Sequence, residues 1–216
     1  MTDFVTLRRM MVDTQVRPSD VTKFPVIEAM LRVPREVFVP DELADAAYVG
    51  HNIDLGEGRV VLDARTFAKM LDALNVDGDD LVLDIGAGLG YSSAVIARIA
   101  EAVVAVEDDA DRAAEAQPLL MEHADNVILH TGPLVEGAPQ HGPYDAIVVE
   151  GGIETLPASI EAQLKDGGRI ACIFMDGALG TVKVGWKIDG TITWRFSFNA
   201  TAPVLAGFEK EVAFAL

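Results

Sequence analysis

The stretch Leu81-Val82-Leu83-Asp84-Ile85-Gly86-Ala87-Gly88-Leu89-Gly90-Tyr91 decides the reading of the chain. An apolar run ends in an acid, a glycine loop follows, and residues 92–100 continue with helical character. Glycines at alternate positions let the backbone turn sharply and let a ligand come where a Cβ would otherwise stand. Amides at the start of the following helix point at that ligand, so a nucleotide-like group at the carboxyl end of the strand is the natural occupant. A glycine-rich turn with no ligand is the plain alternative. The next segment favours the ligand. Residues 102–106 read as a second buried strand that ends at Glu107, about twenty residues past the loop, where an acid can accept both hydroxyls of a ribose.

Composition narrows the class. The chain has 216 residues, half of them hydrophobic, enough for one α/β domain with a full core. No apolar run approaches the ~20 residues that span a bilayer, so no membrane partner is expected. Residues 1–11 carry Arg8 and Arg9 but no export-signal pattern, so a cytoplasmic location is expected. The formal net charge is −17, with 34 acids against 17 Lys and Arg, which argues against nucleic-acid binding. Cys172 is the only cysteine; it lies in an apolar run and reads as a buried, inert thiol. Nothing has metal-ligand spacing.

In chain order, residues 1–20 predict a helix ending before Arg17-Pro18 and residues 26–33 a second one. Residues 35–40 read as extended, 41–48 as a short acidic helix, 51–60 as irregular and 64–74 as an amphipathic helix. Strands at 81–85, 102–106, 126–130, 144–150 and 169–174 alternate with helices at 91–100, 110–123 and 156–164. Asp166-Gly167-Gly168 reads as the glycine cap of the last helix. Continuous apolar strands between helices predict a mostly parallel, doubly wound sheet. Residues 182–188 and 191–198 flank Asp189-Gly190 and predict an antiparallel hairpin; residues 209–216 are a candidate last strand. The whole is one domain: an N-terminal helical cap over 1–75, a ligand-binding core over 76–180 and C-terminal strands over 181–216.

These residues resemble the protein-L-isoaspartate O-methyltransferases, a family of class I S-adenosylmethionine-dependent methyltransferases with a Rossmann-like fold. The resemblance runs from about Met11 to about Leu205. It is carried by Met30-Leu31-Arg32-Val33-Pro34-Arg35-Glu36-Val37-Phe38-Val39-Pro40, by Ala47-Tyr48, by the loop itself, and by Val104 to Glu107. Asn126-Val127, Tyr144-Asp145-Ala146-Ile147, Gln163 to Arg169 and Pro203-Val204-Leu205 are similar as well. It implies S-adenosyl-L-methionine as cofactor, held by Asp84, Gly86, Ala87, Gly88, Gly90, Glu107 and Asp108. Asp84 would hold the amino group or orient the loop, and Glu107 would bind the ribose. It implies methylation of the isoaspartyl carboxylate in damaged proteins, the ester then collapsing to a succinimide that reopens partly to aspartate.

Two departures stand out. Where the family has a serine-bearing block, this chain has Gly58-Arg59-Val60-Val61-Leu62-Asp63-Ala64, with Leu62 at the serine position. A leucine cannot donate a hydrogen bond to a carboxylate, so the catalytic residue is left unassigned. Leu62, Arg59 and Arg65 form the expected substrate side, either arginine being able to pair an acceptor carboxylate; simple packing and solvated charge are the plain alternatives. Pro133 replaces an acid expected near the adenine and offers neither carboxylate nor amide hydrogen. An amine or hydroxyl acceptor would need a base, for which His51, Asp63 and Glu150 are candidates. Isoaspartyl protein or peptide is the expected partner, with another carboxylate acceptor or a non-catalytic relative as alternatives. A nicotinamide oxidoreductase fits poorly, because Tyr91 stands where the dinucleotide pattern has its last glycine. A monomer and a homodimer remain equal alternatives.

Overall fold

In the computed structural model, which describes residues 2–210, a short hairpin of β1 (Ile53–Gly56) and β2 (Arg59–Val61) precedes the main sheet. The sheet's strands are β3 (Leu81–Ile85), β4 (Ala102–Glu107), β5 (Val127–Thr131), β6 (Tyr144–Ile153), β7 (Leu164–Asp176), β8 (Leu179–Ile188) and β9 (Thr191–Asn199). Their order is β5-β4-β3-β6-β7-β8-β9. All pairs from β5 to β7 are parallel, and β7-β8-β9 are antiparallel. The chain therefore reverses direction across the sheet between β3 and β6. Crevices at such a reversal, outside the carboxyl ends of the strands, are where ligands bind in open α/β sheets.

The helices are α1 (Phe4–Met11), α2 (Phe24–Arg32), α3 (Ala64–Leu74), α4 (Tyr91–Ile96), α5 (Ala110–His123) and α6 (Ala158–Gln163). Val82, Val103, Ala146, Val148 and Ala171 point to one face of the sheet, into a core shared with α2, α3, α4 and α5. Leu83, Ile85, Val104, Ile147, Val149 and Ile170 point to the other, against α6 and residues 205–208. Strands buried on both faces explain the continuous apolar runs. The fold class, the hairpin and the buried Cys172 agree with expectation. Burial pushes the Cys172 thiol well above its ordinary range, and Asp189 and Gly190 both take positive φ (51° and 76°), as a two-residue hairpin turn requires.

Several local readings are corrected. The α-helical part of the N-terminus stops at Met11, but wider and tighter helical turns continue through Ser19, with Pro18 tolerated in a first turn where its missing N–H is not needed. Residues 35–38 form a 3-10 turn rather than an extended run, and the acidic segment Asp41–Ala46 is a 3-10 helix. The irregular stretch is the β1–β2 hairpin, turned at Glu57 and Gly58, both at positive φ. The helix before β7 ends at Gln163, not at the glycines. Leu164 is buried and already pairs with Tyr144, so Gly167 (φ 84°) turns the backbone within the strand instead of capping the helix. The strand expected over 209–216 lies, from 211 on, outside the described residues.

Arg169 fastens the amino-terminal end of the sheet. From β7 it donates to the carbonyls of Leu74 (2.8 Å) and Asn75 (2.7 Å), at the carboxyl end of α3, and pairs with buried Asp80 at the entrance to β3. Arg169→Ala leaves Asp80 buried beside no cation and is expected to cost about 3 kcal/mol of unfolding free energy, read by urea denaturation.

Candidate active site

The glycine turn lies where β3, β4 and β6 deliver their carboxyl ends. Gly86 and Ala87 donate their N–H groups to the Val106 carbonyl (2.9 and 3.1 Å), which curls the turn toward β4. Gly86 and Gly90 sit at φ 84° and 98°, where a side chain is strained, and a Cβ on Gly90 would come within 2.8 Å of Leu120 on α5. On the β6 side the segment after β9 closes over the strand end. Gly152 donates to the Pro203 carbonyl (2.8 Å), the Leu205 N–H donates to Gly152 (2.9 Å), and the Leu205 side chain fills the space where a Gly151 Cβ would be.

Two acids sit beneath this turn. Asp84 is wholly buried; its Oδ2 accepts from the hydroxyls of Ser92 (2.6 Å) and Ser93 (2.5 Å), and its Oδ1 has no partner. It thus fastens β3 to the start of α4. Glu150 follows Val148 and Val149 within β6, three residues before its end, is also buried, and its Oε1 has no partner. Burial pushes the Asp84 carboxyl up to about 6, against the pull of the two serines and Arg59. Burial raises Glu150 well above the usual carboxylate range, and the neighbouring Asp84 raises it further, while Arg35 and Arg59 oppose the rise.

Glu107 is wholly buried at the end of β4 and its carboxylate is already engaged. Arg59 grips it with Nη1 to Oε1 (3.1 Å) and Nη2 to Oε2 (2.9 Å). Arg112 Nη1 donates to Oε1 (2.7 Å), and the N–H groups of Gly88 (2.8 Å) and Asp109 (3.2 Å) complete the set. Arg59 Nη1 also reaches Asp108 Oδ1 at 2.7 Å. Its Nη2 stands 3.0 Å from the position of a Gly86 Cβ, in the space that the glycine leaves open. Arg59 and Arg112 line a cavity of about 230 Å³ together with Glu57, Asp108 and Asp109.

The expected substrate side is only partly assembled. Arg59 faces the acid expected to hold the cofactor rather than an open acceptor site. Arg65 is exposed on α3 and packs over Phe198 of β9, 5.8 Å from the ring centre; β9 is the outer strand, so Arg65 is not brought to the crevice. Leu62 is 1% exposed and packed in the core, and its carbonyl accepts from Arg35 Nη2 (2.7 Å). It is a packing residue and lines no acceptor surface in this structure. Asp63 caps α3 by accepting from the Thr66 N–H (2.9 Å), and His51 is exposed. Of the three candidate bases only Glu150 is buried beside the turn. Pro133 opens a 3-10 turn, Leu134–Glu136, where the chain leaves β5.

Sequence reasoning missed Ser92, Ser93, Arg112 and Arg35. Arg112, one turn into the helix after Glu107, carried a signal in its spacing. Arg35, inside the quoted motif, is fully buried, bonds the Ala47 and Leu62 carbonyls, and lies 4.6 Å above the Tyr91 ring. Nothing local announced that role.

The family model described as Protein-L-isoaspartate(D-aspartate) O-methyltransferase matches residues 8–180. The chain belongs to this family. Protein-L-isoaspartate O-methyltransferase 1 of Rhodopseudomonas palustris is 40% identical over 172 residues, covering 78% of this chain and 69% of the relative. Protein-L-isoaspartate O-methyltransferase of Roseiflexus castenholzii is 37% identical over 169 residues, 78% of this chain and 77% of the relative. A solved protein-L-isoaspartate O-methyltransferase shares the fold with TM-score 0.78 and 24% identity over 94% of this chain, which spans 65% of that structure's chain. A Plasmodium falciparum β-aspartate methyltransferase, solved in complex with S-adenosyl-L-homocysteine, shares it with TM-score 0.78, 17% identity, and 95% and 99% coverage.

An S-adenosyl ligand would meet, at the acid at the end of β4, a carboxylate already held by donors of the chain. Over the glycine turn it would meet Arg59 and Leu205 beside Gly86, and Leu55 beside Gly88. The buried acids give a test that needs no ligand. Asp84 ordinarily titrates near 3.8 and here near 6, so the folded protein keeps a proton that the unfolded chain releases. Its contribution is fully present below pH ~4 and is lost as pH rises through ~6, on the order of 3 kcal/mol in all. Thermal melts from pH 4 to 7 are expected to show wild type losing ground to Asp84→Asn as pH rises. Parallel curves would mean that Asp84 does not titrate in this window.

Proposed function

We propose that this family member is an S-adenosyl-L-methionine-dependent methyltransferase whose acceptor is the isoaspartyl carboxylate of damaged proteins, a repair activity. The observation that supports this most is the glycine turn of Gly86, Gly88 and Gly90 beside Glu107, at the sheet's reversal point, in a chain that matches the family over residues 8–180. Asp84, Gly86, Ala87, Gly88, Gly90, Glu107 and Asp108 form the cofactor side in this reading. When bound, the cofactor supplies an already activated methyl group. The chain's part is positional. Glycine at 86 leaves room for the ligand, Glu107 offers the acid for the ribose, and Asp84 holds the turn against α4. An acceptor carboxylate is itself a nucleophile, so orientation and exclusion of water carry the rate and no base is required. That agrees with Asp84 and Glu150 being shifted toward their protonated forms. Buried Leu62 supplies packing where the resemblance implies a hydroxyl.

The second reading is a relative with a different acceptor, or one that binds a ligand without catalysis. The Arg59–Glu107 pair and Leu62 favour it. The proposed location is the cytoplasm, as monomer or homodimer. A chain with 34 acids and 17 basic residues is a poor partner for a polyanion, and no described helix is long and apolar enough to cross a membrane.

Calorimetric titration with S-adenosylhomocysteine is expected to give saturable binding in the micromolar range, weakened at least tenfold by Glu107→Ala. An isoaspartyl peptide with S-adenosylmethionine is expected to yield a methyl ester. Ligand binding without ester points to another acceptor; no binding in a folded protein supports the non-catalytic relative.

A further inference from the structure

Glu107 receives five hydrogen bonds on two oxygens: two from Arg59, one from Arg112, and one each from the N–H groups of Gly88 and Asp109. Two carboxylate oxygens offer about four lone-pair sites, so two ribose hydroxyls cannot join without displacing a donor. The Asp109 amide belongs to the backbone that carries the acid, the Gly88 amide to the glycine turn that Gly86 and Ala87 tie to the Val106 carbonyl, and Arg112 stands on α5 just after the acid. Arg59 arrives from outside, on a strand of three residues behind a two-residue turn. Its Nη2 is also the atom standing over Gly86. Arg59 is therefore the donor that yields.

A guanidinium leaving Glu107 remains in a buried setting. Arg59 is 5% exposed and its Nε already has no partner. Asp108 answers one edge, through Nη1 at 2.7 Å; the other edge loses its carboxylate, and a buried charge left unpaired is costly. The adjoining cavity of about 230 Å³ gives a second carboxylate room to approach. A planar guanidinium takes a carboxylate in a two-point grip that fixes its orientation. With Leu62 buried and Arg65 turned away, Arg59, which lines this cavity beside Arg112, is placed to do this.

We propose that Arg59 passes from Glu107 to the carboxylate of the methyl acceptor when the S-adenosyl ligand takes Glu107, so that cofactor and carboxylate acceptor bind with positive coupling. This rests on the function proposed above. Either ligand alone breaks or strains the internal pair without replacing it; together they restore both partners. Coupling of this kind is reciprocal and is commonly 5- to 150-fold. No covalent step is involved, and Arg59 acts as a specificity-determining residue that selects acceptors bearing a carboxylate.

The test titrates S-adenosylhomocysteine into wild type, Arg59→Gln and Arg59→Lys, each alone and with a saturating isoaspartyl peptide. An isoasparaginyl peptide, an amide in place of the carboxylate, is the control. In wild type the isoaspartyl peptide is expected to tighten the nucleoside about tenfold and the amide peptide to leave it unchanged. Arg59→Gln is expected to bind the nucleoside several-fold tighter than wild type with no peptide present, and to show no coupling. Arg59→Lys keeps the charge but not the two-point grip and is expected to fall between; thermal melts confirm that each variant is folded. Arg59→Gln and Arg59→Lys binding the nucleoside no better than wild type would overturn the competition at Glu107. Tighter binding in Arg59→Gln with coupling intact would overturn the transfer to the acceptor while leaving the isoaspartyl reading in place. An isoaspartyl peptide that binds none of the three proteins would overturn both the transfer and that reading.

Discussion

The carboxylate of Glu107 lies where β4, the glycine turn, the β1–β2 hairpin and α5 meet, and it is closed to solvent. A charge in that setting is tolerated only when surrounded by donors. Meeting that need sets the geometry around it. The Gly88 N–H is drawn inward, which curves the turn; the Asp109 N–H is drawn back, which starts α5; and Arg59 pulls the hairpin down onto the sheet. The acid that a ribose would use is thus also the acid that assembles its own surroundings.

Asp84 and Glu150 stand in contrast. They lie on neighbouring strands, each with one oxygen unpartnered, and neither has a cation hydrogen-bonded to it. Arginines grip Glu107 directly, while burial shifts these two acids toward their protonated forms. Three buried acids within one crevice are therefore held in different ways, and the difference comes from which of them an arginine grips directly.

The sheet was legible because its strands are covered on both faces, which writes them as unbroken apolar runs, and because Asp189-Gly190 dictates a hairpin turn. The β1–β2 hairpin was not, since its strands are four and three residues long, they include the charged Asp54 and Arg59, and Glu57 stands in the turn between them. The start of β7 was hidden because Leu164 reads equally well as the last apolar residue of a helix and the first of a strand. Within the site, spacing from the glycines picked out Glu107. The partner of Glu107 could not be read, because Arg59 lies 48 residues earlier and meets it only through the fold. Leu62 illustrates the converse: the aligned position was found, but burial decides what a side chain there can touch.

The arginine clasp at the opposite end of the sheet, Arg169 with Asp80 and the carbonyls at the carboxyl end of α3, has a mechanical consequence. It joins β3, β7 and α3 at their base, far from the crevice, so the strand entrances are held as one frame. The rim is built from a short hairpin and from the segment running past Leu205. A molecule divided in this way can exchange the chemistry of its rim, residue by residue, while the foundation that lets it fold is left untouched.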